Sequence, residues 1–314
     1  MTRPTVSDVQ RVAVIGAGTI GTSWAAYFLA QALEVLVVDP VRNEADLRHD
    51  IADAWIALER MGLAPGADPD RLCLSAAIDS ALAEADFVQE NVPERIAVKR
   101  ETLHALEAAL RPDVVVSSST TSMLPSAIQD GAARPQRVLV GHPFNPPHLI
   151  PLVEVAGGKL TARETLDWTV DFYRAIGKVP VLMKKEAVGH LANRLTAALF
   201  REAVHLVAEG YTTVEDIDEV VTSGPGLRWA LQGPFTTYHL AGGRGGIAHY
   251  MRHIGPTQQD RWQSLGNPRL DDELAALIVR SVEAMLADTS PAQLASLRDE
   301  GLLQLLRPKS GKQS

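Results

Sequence analysis

Residues 141–155, which read GHPFNPPHLIPLVEV, contain two side chains that together could move a proton, His142 and Glu154. Each follows a short apolar run. Four prolines between them exclude a helix and favour an extended or turning backbone: Pro143, Pro146, Pro147 and Pro151. Two short strands joined by a stiff loop would bring the imidazole and the carboxylate side by side. A carboxylate that holds one ring nitrogen leaves the other free to act as a general base.

Two alternatives stay open on this stretch alone. His142 could be a turn residue and Glu154 an unrelated surface carboxylate, because a single His/Glu pair is a weak motif. His148 is a second candidate base, but it lies deeper in the proline-rich loop. It lacks the strand-terminal position of His142, so we prefer His142.

The first forty residues have the pattern of a dinucleotide-binding unit. The β-branched run Arg11–Ile15 is typical of a buried parallel strand, and a helical pattern follows the turn after it. That turn consists of Gly16, Ala17, Gly18, Thr19, Ile20 and Gly21. In such a turn the first glycine permits the tight bend, the second admits a pyrophosphate, and the third lets helix and strand pack closely. The phosphates would lie at the start of the helix.

Asp39 ends the second predicted strand, Glu34–Val38. A carboxylate at this place accepts hydrogen bonds from the adenosine ribose hydroxyls and repels a 2′-phosphate. The sequence therefore predicts NAD as the cofactor. Arg42, three residues later, leaves NADP as an alternative.

Polar residues follow two further predicted strands, at the edge where open α/β sheets bind ligands. Glu94 and Lys99 come after the strand that contains Phe87 and Val88, near the start of a helix predicted from Pro93. Solvated charges that stabilise the helix are the alternative for both. The hydroxyl run SSSTTS at residues 117–122 suits anion contact or polarisation of a carbonyl. It could equally cap the next helix.

The character of the sequence changes after Lys184, since only helical patterns follow the last predicted strand, Val179–Leu182. This change predicts an NAD-binding domain at residues 1–186 and an all-helical domain at residues 187–314. Asn193 lies inside the first long predicted helix, where asparagine is a poor helix former. It could donate a hydrogen bond into a cleft, or it could be an exposed or capping residue.

Aromatic residues cluster late in a chain that is only 5% aromatic. The cluster comprises Trp229, Phe235, Tyr238 and Tyr250. Such residues usually pack in a core or a dimer interface, but an aromatic face can also hold a quaternary ammonium group. His249 and His253 have the spacing of a metal clamp without an evident third ligand, so no metal is expected.

Composition narrows the class of protein. The net charge of −8 and the lack of a basic stripe argue against nucleic acid as a partner. Cys73 is the only cysteine, expected as a small core residue, and it allows no intrachain disulfide. The N-terminus lacks the apolar segment of a signal peptide, and no apolar run is long enough to cross a bilayer. We therefore expect a soluble, cytoplasmic protein with no membrane partner.

Along almost its whole length the chain resembles the L-3-hydroxyacyl-CoA dehydrogenase superfamily. The resemblance rests on the glycine turn with Asp39 and on the segments QENVPERIAVK, SSSTTSM, GHPFNPPHLIPLVEV and GHLANRL. It implies an α/β fold: an N-terminal Rossmann-type domain with a doubly wound, mostly parallel sheet, and a C-terminal all-helical domain that forms a homodimer. Within the superfamily, Val92–Glu94 and the block GLRWALQGPFTTYHLAGG are similar to the carnitine 3-dehydrogenase branch. L-Gulonate 3-dehydrogenases, with their crystallin relatives, form the nearest other branch.

The resemblance also implies residue roles. His142 becomes the catalytic base and Glu154 its partner, Asn193 polarises the substrate, and Glu94 and Lys99 lie on the cofactor side. The position of the family's catalytic serine falls on Thr121, with Ser122 next to it. Either hydroxyl is therefore a candidate for contact with the substrate oxygen. Candidates for contact with the rest of the substrate are Ser122, Phe144, Trp229, Phe235 and Tyr238.

The implied reaction is NAD-dependent oxidation of the 3-hydroxyl of a small hydroxy acid, with L-carnitine as the first candidate. L-Gulonate and an L-3-hydroxyacyl-CoA are the alternative substrates. A non-catalytic, crystallin-like protein that binds NAD is the alternative outside enzymes, although such a role would not need the His142/Glu154 pair.

Overall fold

The computed structural model of the chain describes residues 3–306. Two compact units are present. Among the described residues, the first comprises residues 3–193 and 298–306, and the second comprises Arg194–Leu297. The predicted boundary between residues 186 and 187 stays a prediction.

The first unit is built on an eight-stranded sheet. Its strands are β1 (Arg11–Ile15), β2 (Glu34–Val38), β3 (Leu72–Ser75), β4 (Phe87–Glu90), β5 (Val115–Ser118), β6 (Val138–Pro143), β7 (Leu152–Gly157) and β8 (Val179–Leu182). They lie in the order β3-β2-β1-β4-β5-β6-β7-β8. Neighbouring strands of this described sheet are parallel except β6 and β7. The predicted Rossmann-type, mostly parallel sheet is confirmed.

Two apolar layers cover the faces of this sheet. The helices of the first unit are α1 (Thr19–Ala30), α2 (Glu44–Met61), α3 (Ile96–Ala109), α4 (Pro125–Ile128) and α5 (Arg163–Ala175). Val12 and Val14 of β1 belong to the core formed with α1 and α5, whereas Ala13 and Ile15 belong to the core formed with α3. Because side chains alternate between the two faces of a strand, burial on both sides requires the continuous apolar run of β1.

The second half is helical throughout its described residues, as predicted. Its helices are α6 (Ala192–Ala208), α7 (Val214–Ser223), α8 (Pro225–Trp229), α9 (Pro234–Ala241), α10 (Gly246–His253), α11 (Gly255–Ser264), α12 (Asp272–Met285) and α13 (Pro291–Leu306). Within residues 3–306, no helix has both the length and the apolar character needed to cross a membrane.

Two local expectations are wrong, and strand β3 has no counterpart among the predicted strands, because its four residues are too few to give a clear alternation. Cys73 lies on this edge strand with an exposed side chain rather than in the core. Helix α3 begins at Ile96 rather than at Pro93, so Glu94 lies in the turn that follows β4.

Candidate active site

His142 and Glu154 lie opposite each other on β6 and β7. The antiparallel register pairs the two residues directly, and both side chains are almost fully buried. Nδ1 of His142 is 3.0 Å from Oε2 of Glu154. An ionised carboxylate can only accept, so Nδ1 carries the proton and donates it to Glu154. This arrangement leaves Nε2 as the ring nitrogen that can accept a proton.

The second oxygen of Glu154 is held at the start of α6. Oε1 accepts hydrogen bonds from the backbone N–H groups of Leu191 and Ala192, at 2.7 and 3.0 Å. Burial alone would raise the pKa of Glu154, but the hydrogen bonds from His142, Ala192 and Leu191 lower it below its usual value. The carboxylate therefore stays ionised at neutral pH and can stabilise a positive charge on His142.

Glu94 holds the turn that carries the candidate hydroxyls. Its Oε1 accepts hydrogen bonds from the Thr120 hydroxyl, from the backbone N–H of Thr121 at 3.0 Å and from the backbone N–H of Ser122 at 3.1 Å. The hydroxyls of Thr121 and Ser122 lie 3.3 and 3.2 Å from the same oxygen, and both residues are exposed. Burial would raise the pKa of Glu94, but the Thr120 hydroxyl, the Lys99 charge and the Ser122 hydrogen bonds lower it overall. The sequence offered helix capping as an alternative for this hydroxyl run, but α4 has no side-chain cap.

Lys99 is enclosed by the protein. Its ammonium donates to both oxygens of Glu90, at 2.9 and 3.2 Å, and to the carbonyl of Val92 at 3.2 Å. The oxygen Oε2 of Glu94 is 3.5 Å away. The side chain of Lys99 is only about 1% exposed. Lys99 therefore supports the turn after β4 through its contacts with Val92 and Glu94.

Asn193 reaches the same turn from α6. Its side-chain nitrogen lies 3.3 Å from the carbonyl oxygen of Thr121, and the residue is half-buried. The structure thus brings five of the sequence candidates into one region of the first unit. They are His142, Glu154, Glu94, Thr121 and Asn193.

The neighbours of His142 include one predicted residue and one that the sequence reasoning missed. Phe144 packs edge-on to the His142 ring, with ring centroids 6.4 Å apart. His190 packs against the same ring at 4.9 Å. The only signal for His190 in the sequence was its place within the GHLANRL segment.

His148 is engaged elsewhere. Its Nδ1 is 2.8 Å from the hydroxyl of Ser23, and its backbone N–H donates to the same hydroxyl. Burial lowers the pKa of His148 to about 4. A ring with this pKa is a weak base at neutral pH.

The glycine turn between β1 and α1 fits a dinucleotide. Gly16 has a left-handed backbone, with φ of 88°, and a Cβ on Gly21 would lie 1.9 Å from the carbonyl oxygen of Gly16. A Cβ on Gly18 would meet nothing within 4 Å, so the space above this residue is open. No side chain caps the first turn of α1, which begins at Thr19. Open space next to free backbone N–H groups is what a pyrophosphate requires.

Asp39 lies at the end of β2, beside the turn. Its carboxylate accepts the N–H groups of Ala17, Val41 and Arg42 at 2.8 to 3.0 Å. Burial opposes ionisation, but these hydrogen bonds and the Arg42 charge lower the pKa of Asp39 overall. Arg42 itself donates to Asp50 and to the carbonyl of Asp46. Asp39 is ionised and Arg42 is hydrogen-bonded to α2, so this site favours the free 2′-hydroxyl of NAD over the 2′-phosphate of NADP.

The remaining substrate candidates belong to the second unit. Trp229, Phe235 and Tyr238 are exposed, and Tyr238 is in ring contact with Tyr250 at 4.9 Å. Their roles stay predictions. Among residues 3–306, no group of three or more His, Cys, Asp and Glu side chains could hold a metal ion.

Two family models match the chain. The NAD-binding domain of 3-hydroxyacyl-CoA dehydrogenase matches residues 11–187, and the C-terminal domain of the same family matches residues 189–274. Both models fall on the elements described above, the first on the sheet with its glycine turn and the second on the helices from α6 onward.

The chain is similar to several dehydrogenases over almost its whole length. L-Carnitine dehydrogenase of Streptomyces coelicolor is 47% identical over 98% of this chain and 96% of its own length. L-Carnitine dehydrogenase of Pseudomonas putida is 42% identical over 99% and 98%. Among solved structures, the NAD⁺-dependent 5-formyl-3-hydroxy-2-methylpyridine 4-carboxylic acid 5-dehydrogenase is similar with a TM-score of 0.80 and 28% identity. That match covers 95% of this chain and 96% of the other.

Proposed function

Since the chain belongs to the 3-hydroxyacyl-CoA dehydrogenase family and is an NAD-dependent oxidoreductase, we propose that it oxidises the 3-hydroxyl of L-carnitine to 3-dehydrocarnitine. The reaction type is supported above all by the buried His142/Glu154 pair, with its 3.0 Å contact. The choice of substrate is supported by relatives 40–48% identical to this chain, which are L-carnitine dehydrogenases.

His142 is the general base in this proposal. Its Nε2 accepts the proton of the substrate hydroxyl while the hydride leaves the carbinol carbon. Glu154 keeps the proton on Nδ1 before the reaction and stabilises the imidazolium afterwards. Because Glu154 is also bound by two backbone N–H groups, its position is set independently of the His142 ring. The base is therefore oriented before substrate arrives.

The hydroxyl turn and Asn193 orient the alcohol. Thr121 and Ser122 each have an exposed hydroxyl that donates to Glu94. Either hydroxyl can instead donate its hydrogen bond to the substrate oxygen. The Asn193 amide lies against the same turn. Fixing the reacting oxygen between these donors and His142 lowers the entropic cost of reaching the transition state.

The first unit would hold NAD at the β1–α1 turn and at Asp39. Gly16 and Gly21 shape the turn, Gly18 leaves room for the pyrophosphate, and Ala17, Thr19 and Ile20 complete it. Asp39 would accept the adenosine ribose hydroxyls. When bound, NAD supplies the acceptor for the hydride. Glu94 and Lys99 would support the cofactor side of the site.

The trimethylammonium group of carnitine calls for an aromatic surface. Phe144 follows β6 directly and contacts the His142 ring, so it is the candidate in the first unit. Trp229, Phe235 and Tyr238 are the candidates in the second unit. Cation–π contact of this kind contributes about 0.5–2 kcal/mol.

A homodimer formed through the helical unit is part of the proposal. The second unit leaves many large apolar side chains more than half exposed. They include Phe200, Leu227, Leu231, Phe235, Leu240, Met251, Trp262 and Val279. A soluble monomer rarely exposes so much apolar surface, whereas a second copy of the same surface would cover it. Light scattering after size-exclusion chromatography should give twice the mass of one chain. A monomer at micromolar concentration would contradict the proposed homodimer. The cytoplasmic location stays a prediction.

The substrate assignment is tested by a panel of alcohols. NADH formation is followed with L-carnitine, L-gulonate and an L-3-hydroxyacyl-CoA in parallel, at equal enzyme and NAD concentrations. We expect the largest kcat/KM with L-carnitine. Activity with the CoA ester alone would discard the proposal, and tight NADH binding without turnover of any alcohol would favour a non-catalytic, crystallin-like role.

A further inference from the structure

His190 occupies an unusual position beside the candidate base. Its side chain is fully buried, and its backbone has a φ of 51°, in the left-handed region that disfavours residues with a side chain. Such a conformation persists only where the surroundings enforce it, and it is enriched at functional sites. The next two residues, Leu191 and Ala192, donate their N–H groups to Glu154. The backbone that carries His190 is thus part of the support of the His142/Glu154 pair.

The protonation of the His190 ring follows from its partner. Nε2 lies 2.9 Å from the carbonyl oxygen of Thr120. A carbonyl can only accept, so Nε2 carries the ring proton and Nδ1 carries none. Burial lowers the pKa of His190 most and the nearby His142 lowers it further; together they outweigh the Thr120 hydrogen bond and the Glu154 and Glu94 charges, which raise it. The ring is therefore neutral and has one fixed tautomer.

Thr120 connects His190 to the hydroxyl turn. It is buried, its hydroxyl donates to Glu94, and its carbonyl accepts from His190. Thr121 and Ser122, the two candidate hydroxyls, come next in the chain. The turn is therefore held from one side by Glu94 and from the other by His190.

The same His190 ring also packs on the base. Its centroid lies 4.9 Å from that of His142, with the two planes tilted by 36°. One rigid side chain thus touches the His142 ring and bonds to the carbonyl directly before Thr121. Any displacement of the His190 ring would change the spacing between the proton acceptor and the hydroxyls.

We propose that His190 is a positioning residue that fixes the distance between the His142 ring and the hydroxyls of Thr121 and Ser122. This inference rests on the proposed function, in which His142 and one of these hydroxyls meet the same substrate oxygen. The hydrogen bond from Nε2 to the Thr120 carbonyl is the contact that holds the hydroxyl turn at this distance, and the packing on His142 sets where the His190 ring lies.

Two substitutions separate the ring from its hydrogen bond. His190→Phe keeps an aromatic ring against His142 and removes the donor to Thr120. His190→Gln removes the ring but places an amide N–H near the position of Nε2. His49→Phe makes the same chemical change at an exposed side chain of α2, whose ionic contact is with Asp53, and serves as the control.

We expect His190→Phe to lower kcat with L-carnitine by about 10- to 100-fold, as expected when a reacting group is misplaced. The Kd of NADH and the KM of NAD should change by less than about twofold, because the glycine turn is untouched. His190→Gln should recover kcat to within about fivefold of wild type, because it restores the hydrogen bond. In hydrogen-exchange mass spectrometry, the peptide covering residues 120–122 should exchange faster in His190→Phe and at the wild-type rate in His49→Phe.

Wild-type kcat and wild-type exchange of the 120–122 peptide in His190→Phe would overturn the inference. So would equal losses of kcat in His190→Phe and His190→Gln, because the hydrogen bond would then be irrelevant. His142→Gln, measured alongside, keeps the two claims apart. Full turnover in His142→Gln rejects the proposed function, whereas an inactive His142→Gln beside a fully active His190→Phe rejects only the positioning role. The exchange measurement needs no substrate and tests the inference even if L-carnitine is not oxidised.

Discussion

Glutamine at position 154 would keep the shape of the buried His142/Glu154 pair and remove its charge. The amide oxygen can still accept the N–H groups of Leu191 and Ala192, which now bind Oε1 of Glu154. The amide nitrogen then faces Nδ1 of His142 and donates to it. The ring must in that case carry its proton on Nε2. The nitrogen that should take the substrate proton is therefore blocked.

The loss of charge adds to this effect. During proton transfer His142 becomes positive while its Nδ1 lies 3.0 Å from the carboxylate oxygen. Unit charges about 4 Å apart attract each other by about 4 kcal/mol at an effective dielectric constant of about 20. A barrier raised by about 4 kcal/mol slows a reaction by about 1000-fold. Because the surroundings can relax around the neutral amide, we expect Glu154→Gln to lower kcat by about 100- to 1000-fold.

The assay is steady-state NADH formation with L-carnitine, together with NADH binding followed by fluorescence. Glu164→Gln, the same change on an exposed turn of α5, is the matched control and should retain wild-type kcat. NADH affinity should be unchanged in both variants, because neither residue lies near the glycine turn. A kcat within about tenfold of wild type for Glu154→Gln would refute the role of Glu154. Loss of a general base, or of the tautomer in which it can accept a proton, lowers kcat by more than that.

Three further predictions follow from buried groups and close contacts. A Cβ on Gly21 would lie 1.9 Å from the Gly16 carbonyl, whereas one on Gly18 meets nothing within 4 Å. Urea unfolding should therefore show a loss of about 2 kcal/mol or more for Gly21→Ala and little for Gly18→Ala, and equal losses would contradict this reading. Burial lowers the pKa of Lys178 from 10.5 to about 7. At pH values between these two pKa values, Lys178 is protonated in the unfolded chain and deprotonated in the folded chain. Over this pH range, the unfolding free energy of wild type should therefore rise relative to that of Lys178→Met, by up to about 1.4 kcal/mol per pH unit. The same pH dependence in both proteins would contradict this prediction. His148→Gln should keep kcat within about fivefold of wild type, since its Nδ1 is bonded to Ser23. A loss as large as that of Glu154→Gln would restore His148 as the base.

The sequence predicts the dinucleotide unit well, because each of its parts has its own physical requirement. A buried parallel strand needs a β-branched run, and the turn needs glycines at fixed places. Gly16, with its positive φ, and Gly21, with its close contact to Gly16, satisfy these requirements in the structure. The prolines between two apolar runs favoured a strand pair that brings His142 and Glu154 together, but this stretch alone also allowed a turn histidine and an unrelated surface carboxylate.

The supports of the site could not be predicted from the sequence. Glu94 looked like a helix charge, yet it holds three consecutive residues of the hydroxyl turn through one oxygen. Lys99 is enclosed by Glu90 and Val92, contacts that depend on how α3 packs against β4. His190 is recognisable only once its burial and its bond to Thr120 are known. Glu94 and His190 depend on contacts with residues far away in the chain, and Lys99 depends on how two neighbouring elements pack, none of which local sequence patterns encode.

The central claim, that His142 takes the substrate proton, is tested most directly by a single-turnover measurement on His142→Gln. Enzyme saturated with NAD is mixed with L-carnitine, and NADH formation is followed in the first turnover, with NADH affinity measured on the same preparation. We predict a rate at least about 100-fold below wild type with unchanged NADH affinity, as for the loss of a general base. A first turnover at the wild-type rate would contradict the claim.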